Sequence, residues 1–347
     1  MAPAPPLVVH SDLAVLLPTS GSTGSPKLVR LTVSNLDSNA QSIAEYLALN
    51  PEERAIASLP LHYSYGLSVL NSHFAAGGSV VLTPHSFLRR EFWGVVDARA
   101  CTSFAGVPYM YETLHRLRFD PATHPTLRTL TQAGGGLAPD LTLQMLELAE
   151  RAGRRFFVMY GQTEATARIS FVPPARLRGK IGSIGIPIPD GRLSLAPAED
   201  AGEAMELVYE GPNVMMGYAE SPADLGLGDR QGGRLRTGDL GRTDEDGYFF
   251  LTGRLRRFAK LFGRRVGLED VEREVEAEFP VRAAATDGGD RMILHVEPIG
   301  AVDAAKIAGH VSRRLGVPPA AVVVRTLATL PRTVAGKKDY RALEVGR

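Results

Sequence analysis

The sequence predicts an α/β large domain followed by a small α+β domain, and three observations carry that reading. Over the first half of the chain, short apolar runs bounded by Gly, Pro or polar turns alternate with helical patterns. A substantially parallel sheet with crossover helices requires that alternation. From about Gly182 to Phe250 the pattern changes to short strands and Gly/Pro turns, which predicts a small β-rich subdomain. Past Arg254 to Arg257 a helix–strand–helix–strand pattern begins, of a size that suits a small domain. The predicted division is 1–255, with its β-rich part at about 182–255, and 256–347.

In order along the chain, Leu13 to Leu17 reads as the first strand, ending at Pro18 and a Ser/Thr/Gly loop. Leu36 to Leu47 then reads as a helix. Ile56 to Leu61, Ser79 to Leu82 and Phe156 to Tyr160 read as buried strands. Leu141 to Ala152 has helical spacing, with Leu141, Met145 and Leu148 on one face. In the C-terminal part, Leu268, Val271, Val275 and Phe279 make one apolar stripe of a helix whose other faces are acidic. Met292 to Val296 and Ala321 to Arg325 read as strands, with an amphipathic helix at Ala304 to Leu315 between them.

The 347 residues carry 39 Lys+Arg against 38 Asp+Glu, with a hydrophobic content of 44%. That balance argues against a protein built to coat nucleic acid or an anionic membrane, and leaves enough apolar material for real cores. The opening MAPAPPLVV has neither a basic region nor a long apolar run, and no stretch reaches the length of a membrane span. Cys101 is the only cysteine, which excludes internal disulfides and multi-cysteine metal sites. The expectation is a cytoplasmic protein with no nucleic-acid partner and no membrane span.

Four segments carry candidate chemistry. In Thr19-Ser20-Gly21-Ser22-Thr23-Gly24-Ser25-Pro26-Lys27, glycines let the backbone approach phosphate oxygens, hydroxyls donate to them, and Lys27 adds mobile charge. No Ser or Thr follows the lysine, so this is not a P-loop of the GxxxxGK[ST] type. Local composition alone leaves a phosphate cradle and an ordinary surface turn equally open. Tyr160-Gly161-Gln162-Thr163-Glu164 follows the apolar run RRFFVM, at the end of a strand where open α/β sheets place ligands. A carboxylate there can hold Mg²⁺ and a hydroxyl can meet a phosphate. Within Arg236-Thr237-Gly238-Asp239-Leu240, Asp239 can accept hydrogen bonds from a sugar diol, and Arg254, closing DEDGYFFLTGR, can donate beside it. Leu330-Pro331-Arg332-Thr333-Val334-Ala335-Gly336-Lys337 places a lysine after glycine near the C-terminus.

Together TSGSTGSPK, YGQTE, GEAMELVYEGPNVMMGY, RTGDLGRTDEDGYFFLTGR and LPRTVAGKK resemble the motifs of the adenylate-forming superfamily. That superfamily comprises acyl- and aryl-CoA synthetases, luciferases and the adenylation domains of peptide synthetases. The resemblance runs in order from about Leu13 to Leu343. It implies ATP-dependent activation of a carboxylic acid to an acyl-adenylate, then transfer to a thiol, either CoA or the phosphopantetheine arm of an acyl carrier protein.

By resemblance, Thr19 to Lys27 holds the β- and γ-phosphates of ATP. Gly135, Gly136 and Tyr160 line the adenine, Gly161 counts among the ATP-binding residues, Thr163 contacts the α-phosphate, Glu164 binds Mg²⁺, and Asp239 with Arg254 holds the ribose. Lys337 bridges the substrate carboxylate and the α-phosphate during adenylation, where charge builds between two anions. The neighbouring Lys338 is expected to be a solvated charge. Arg256 falls at the hinge, where a small backbone change swings a mobile C-terminal domain between an adenylation and a thioester pose. Tyr63 in PLHYSYGL matches a gate beside the acyl pocket and is assigned to the acid with Gly66 and Gly134. No Asp stands near it to hold an amine, so an acyl or aryl acid is favoured over an amino acid. Met110, Tyr111 and Leu114 are expected in a helix core, and His62 and His73 are assigned no metal.

Three departures stand out. Val33 replaces a histidine common after the phosphate loop. Arg256 and Arg257 replace a common Lys-Asp pair. Relatives carry a substantial N-terminal subdomain before the phosphate loop, which here begins at residue 19. The adenylate-forming core is therefore expected to be truncated, and a homodimer or a partner chain to cover the exposed surface. Three functions stay open on the sequence: CoA ligase, carrier-loading enzyme, and a non-catalytic nucleotide-binding or regulatory relative. Retention of Lys337, Glu164, Asp239 and Arg254 together counts against the third.

Overall fold

The computed structural model describes residues 7–18, 27–198, 203–255, 257–261, 264–289, 291–333 and 336–345. Its contacts divide the chain into two compact units, and the division does not fall at a single point. The first unit holds Met1–Ser194, Val208–Thr237 and Thr243–Phe250; the second holds Leu195–Leu207, Gly238–Arg242 and Leu251–Arg347.

In the first unit, β1 (Leu13–Pro18) and β2 (Leu28–Thr32) form an antiparallel hairpin with Pro18 opposite Leu28. The sequence reading places Leu13 to Leu17 at the head of the parallel sheet. It belongs instead to a separate three-stranded sheet, completed by Gly217–Ala219 pairing with β2. Only nine residues separate Pro18 from Leu28, too few for the crossover that parallel strands need, so β1 and β2 pair antiparallel. Helix α1 (Val33–Leu47) starts from a reciprocal cap: the Asn35 amide donates to Thr32 Oγ1 at 2.9 Å and the Thr32 amide to Asn35 Oδ1 at 3.0 Å. Val33 opens this helix with its side chain exposed.

The main sheet of this unit is built by β3 (Arg54–Ile56), β4 (Ser79–Val81), β5 (Ser103–Gly106), β6 (Thr129–Gln132) and β7 (Arg155–Tyr160), all parallel in the order β4-β3-β5-β6-β7. Helices α2 (Ser64–Ala75), α3 (Arg90–Ala98), α4 (Pro108–Arg116) and α5 (Pro139–Arg151) make the connections. Antiparallel β8 (Ser170–Val172) and β9 (Ser183–Pro187), with α6 (Pro174–Leu177) between them, continue the sheet from β7. The strand expected at Ile56 to Leu61 ends at Ile56, because the Ser58 amide turns back to the Ile56 carbonyl at 2.9 Å. In α5 the buried stripe is Thr142, Met145, Leu146 and Ala149, with Leu141 and Leu148 at its margin. Phe104, Tyr111, Leu127, Leu130 and Phe156 fill the core, joined by Met110 and Leu114 as expected.

Strands β10 (Arg192–Pro197), β11 (Met205–Glu210), β13 (Arg234–Thr243) and β14 (Phe249–Arg254) contribute residues to each unit, and β12 is the Gly217–Ala219 strand on β2. The rest of the second unit is the hairpin β15 (Phe258–Leu261) and β16 (Arg264–Gly267), then α7 (Leu268–Glu278), β17 (Val281–Asp287), β18 (Met292–Pro298), α8 (Ala304–Leu315), β19 (Val322–Thr326) and α9 (Tyr340–Val345). Strand β18 is central, antiparallel to β17 and parallel to β19. Leu268, Val271 and Val275 bury the stripe read from the sequence against Ala283, Leu294, Ile307 and Val311. Among the described residues no helix is long and apolar enough to cross a membrane.

Candidate active site

Residues Thr19, Ser20, Gly21, Ser22, Thr23 and Gly24 lie outside the described residues, between the two strands of the first hairpin. Lys27 follows them, its Nζ 2.6 Å from Glu220 Oε1 and 5.6 Å from the centroid of the Tyr218 ring. Pairing of β12 with β2 brings Tyr218 here, and its hydroxyl donates to Glu164 Oε1 at 2.8 Å. The Glu164 carbonyl in turn accepts from the Met215 amide at 2.9 Å. Lys27 and Glu164 are thus gathered around Tyr218. Sequence reasoning gave Tyr218 no role, although it ends the quoted GPNVMMGY motif.

Arg30, fully buried on β2, holds the neighbouring segment. It donates to the carbonyls of Leu227, Met216 (3.3 Å) and Gly228 (3.2 Å). Carbonyl dipoles and the more distant charges of Asp224 and Asp229 offset its charge in part; burial, followed by the nearby Arg230 charge, holds its pKa below the usual guanidinium range.

At the carboxyl end of β7, Tyr160 is buried and its hydroxyl accepts from Gln162 Nε2 at 3.2 Å; the same amide donates to the Thr237 carbonyl at 2.9 Å. Gly161 has no alternative: a Cβ there would stand 1.8 Å from the Ala167 carbonyl oxygen. Thr163 Oγ1 lies 3.1 Å from Ser64 Oγ at the start of α2. Tyr63 precedes that helix and Gly66 follows in its first turn, packed on the Pro60 carbonyl. Gly134, beyond β6, adopts a φ of +85°, and a Cβ on it would stand 2.5 Å from the Tyr63 hydroxyl. Tyr63, Ser64, Gly134 and Thr163 therefore meet in one place. The Gly135 carbonyl is held by Gln132 Nε2 at 2.8 Å, and the space beside Gly136 is open.

The loop after Glu164 is strained. Thr166 and Ala167 have φ of 62° and 148°, each at a cost of about 1–3 kcal/mol. Asn213 sustains them: its Nδ2 donates to the carbonyls of Ala165 (2.8 Å) and Arg168 (2.9 Å), and its own carbonyl accepts from Thr166 Oγ1 at 2.6 Å. Tyr209 orients that amide, donating to Asn213 Oδ1 at 2.8 Å.

In the second unit, Asp239 is 2% exposed at its side chain and lies 2.6 Å from Arg254 Nε. The Gly238 amide beside it donates to buried Glu206 Oε1 at 2.9 Å. Lys337 sits on a turn in which the Thr333 amide donates to the Lys337 carbonyl (2.8 Å), the Gly336 amide to the Thr333 carbonyl (2.8 Å) and Arg332 Nη1 to the Gly336 carbonyl (3.0 Å). Arg256 lies outside the described residues. Its neighbour Arg257 is held within the unit, 3.0 Å from Glu269 and 2.7 Å from Glu272, with its Cζ 3.6 Å from the centre of the Tyr340 ring.

One expectation is overturned here. Lys338 is no solvated charge: its Nζ lies 3.1 Å from Glu272 and 3.0 Å from Glu276 and donates to the Ala283 carbonyl. Burial works against its charge, but Glu272 and Glu276 more than offset that and raise its pKa. Glu272 is the mirror case, with burial opposed by Lys338 and Arg257, which together hold its pKa below the usual range.

The chain is similar to known proteins in sequence and in fold. The chain is 31% identical over 338 residues to the sulfoacetate–CoA ligase of Cupriavidus necator, a match covering 93% of the chain and 65% of the relative. It is 32% identical over 285 residues to a feruloyl-CoA synthase of Amycolatopsis, covering 80% and 56%. The O-succinylbenzoate CoA synthetase MenE of Bacillus subtilis, solved with ATP and magnesium ion, superposes with a TM-score of 0.75 at 27% identity, covering 95% of this chain and 69% of that one. The chain thus spans less than two thirds of the length of these two curated relatives. Because the model of the AMP-binding enzymes matches residues 2–219, more than half of the chain, the protein belongs to that family, within the adenylate-forming superfamily.

Proposed function

We propose that the protein activates a carboxylic acid with ATP and passes the acyl group to the thiol of CoA. The observation that carries this reading is the meeting of Tyr63, Ser64, Gly134 and Thr163 beyond the carboxyl ends of the adjacent parallel strands β6 and β7, where such sheets receive ligands. In the first step a carboxylate oxygen attacks the α-phosphorus and the bond to pyrophosphate breaks. In the second the thiol sulfur attacks the acyl carbon, AMP leaves with the electron pair, and the thiol gives up its proton.

Charge builds where the two anions meet, so preorganised donors and cations there are worth most. Thr163 is assigned to the α-phosphate, Thr19 to Lys27 to the β- and γ-phosphates, and Gly135, Gly136, Tyr160 and Gly161 to the adenine. Asp239, buried and oriented by Arg254, suits the ribose diol as an acceptor. Glu164 is a single carboxylate already held by a tyrosine hydroxyl, which fits a Mg²⁺ ion that takes its other ligands from phosphate and water. When bound, the ion offsets phosphate charge. Lys337 is assigned to the acid carboxylate and α-phosphate, and Arg256 to the hinge between 1–255 and the mobile 256–347. Tyr63, Gly66 and Gly134 are assigned to the acid.

The names of the relatives support CoA over a carrier-protein arm as the acceptor. Dependence on ATP and CoA suits a cytoplasmic protein. On the acid the names divide, since sulfoacetate and O-succinylbenzoate carry a second anionic group and feruloyl does not. Pyrophosphate exchange against a panel of carboxylic acids, followed by acceptor tests with CoA and a holo carrier protein, decides the reading. Acid-dependent exchange and a CoA thioester are expected. ATP binding without exchange for any acid would overturn it.

A further inference from the structure

The fold buries a further cation near the acid residues, and among the described residues no carboxylate is paired with it. Arg168 follows the strained Thr166–Ala167 turn and is 2% exposed. Its Cζ lies 4.0 Å from the centroid of the Tyr65 ring, and its charge also acts on the Tyr46 hydroxyl, which donates to Met159 Sδ at 3.1 Å. Its Nε is buried with no partner. So is Oδ1 of Asn39, whose Nδ2 donates to the Arg168 carbonyl at 3.2 Å.

The other buried arginines differ. Arg257 has two carboxylates, and Arg30, whose Nε is likewise without a partner, gives its terminal nitrogens to three carbonyls. A guanidinium withdrawn from water without an anion or a full set of acceptors is costly, and such a group marks a place where an anion completes the site. Tyr65, beneath Arg168, is not available to compensate: its hydroxyl lies 3.0 Å from the Thr131 carbonyl and 2.9 Å from Thr131 Oγ1.

The direction of this charge is set by its neighbours. The rings of Tyr63 and Tyr65 lie 6.2 Å apart, and Tyr63 is the residue whose hydroxyl abuts Gly134. Burial raises the pKa of Tyr46, Tyr63 and Tyr65, and the Arg168 charge opposes that rise at all three. Asn213 and Asn39 both hold the Arg168 carbonyl, so the backbone that presents the guanidinium is braced from two sides.

We propose that Arg168 is a specificity-determining residue that binds a second anionic group of the acid, so that the substrate is a dicarboxylic or sulfonated carboxylic acid. This rests on the acid-activating reading above. Guanidinium suits the task because its planar fork meets carboxylate or sulfonate oxygens two at a time. The free Nε edge supplies one donor of such a fork.

The test compares acids matched in size, succinate with butyrate and sulfoacetate with propionate, in pyrophosphate exchange and in equilibrium binding. The wild-type protein should prefer the doubly charged member of each pair. Arg168→Gln should lower that kcat/KM preference by about 10- to 100-fold, the range for charge-assisted hydrogen bonds. Arg168→Lys should recover part of it. ATP affinity and the unfolding midpoint show whether the variants keep the fold. Equal loss on both members of a pair, or equal binding of succinate by wild type and Arg168→Gln, would overturn the proposal, because Arg168 would then be only a packing residue. Binding separates the two readings: selective succinate binding lost in Arg168→Gln sustains the anion site even if exchange is absent, and absent exchange overturns only the proposed activity.

Discussion

Lys337 and Lys338 are neighbours with opposite surroundings. Lys337 sits on a turn closed by Thr333, whereas Lys338 is tied to Glu272 and Glu276. Lys338 is thereby committed within its own unit, and Lys337 is the lysine proposed to act on the substrate. Lys337→Ala should lower adenylation by at least about 10²-fold, the scale for one lost charge partner in the transition state. Thioester formation from pre-made acyl-adenylate should be largely spared. Parallel loss of both half-reactions with the fold intact, measured by single-turnover kinetics, would remove Lys337 from its assigned step. At this scale the sequence was legible for position, putting Thr163–Glu164 just beyond the carboxyl end of β7 and Arg254 beside Asp239. It was illegible where a residue's meaning depends on a distant partner. Nothing local to Lys338 announces Glu272 on α7, and a paired lysine and a solvated one look alike in sequence. Arg168 was missed for the same reason, because its burial is created by tyrosines far away in the chain.

Between elements, a few side chains tie one segment to another. Tyr218, carried by β12 onto the β1–β2 hairpin, is the contact between that strand and Glu164. Tyr218→Phe removes only the hydroxyl. Loss of a group that orients a metal-binding carboxylate typically costs 10- to 100-fold in metal affinity. The Mg²⁺ concentration for half-maximal exchange should therefore rise about tenfold, and an unchanged Mg²⁺ dependence would show that Tyr218 does not orient Glu164. Strand β12 was hard to read because three residues around a glycine carry no alternation to detect, whereas α8 and the α7 stripe were plain from their 3.6-residue period.

Glu272 does the same work in the second unit, joining α7 to the Ala285 amide at 2.7 Å and to Arg257, Lys338 and Tyr340. Glu272→Gln takes from Arg257 and Lys338 one of the two carboxylates that hold each and should cost about 2 kcal/mol in denaturant unfolding. Because the folded pKa of Glu272 is depressed, its contribution is present above about pH 4.3 and is lost as pH falls through the folded value. Lys338, with a raised pKa, contributes fully below about pH 10.4 and loses that contribution as pH rises through its folded value. Stability should therefore hold between these limits, and Glu272→Gln should flatten the acid limb. An acid limb identical to wild type would exclude Glu272 as its source.

For the molecule as a whole, strand β4 is the pressing feature. It ends the sheet order, pairing with β3 on one side only, so one row of backbone donors and acceptors stands open to another strand. Phe74, Leu82 and Leu88, which flank β4 along the chain, are 59%, 67% and 50% exposed. Burying each would contribute about 1.5–3 kcal/mol. Against a micromolar association free energy of about 8 kcal/mol and the entropic cost of joining two bodies, three side chains fall short alone. Strand pairing across the open edge would add both hydrogen bonds and area. A second copy of the chain satisfies that geometry, because antiparallel pairing of one β4 with another closes on itself under two-fold symmetry. The proposal is a homodimer through β4. Light scattering over a concentration series should show a dimer at micromolar concentration, and Val80→Pro, which removes the β4 donor on the open edge while Ser79 and Val81 keep their bonds to β3, should shift it to monomer. A wild-type protein that stays monomeric and fully active at those concentrations would sink the dimer, and a dimer indifferent to Val80→Pro would place the contact elsewhere.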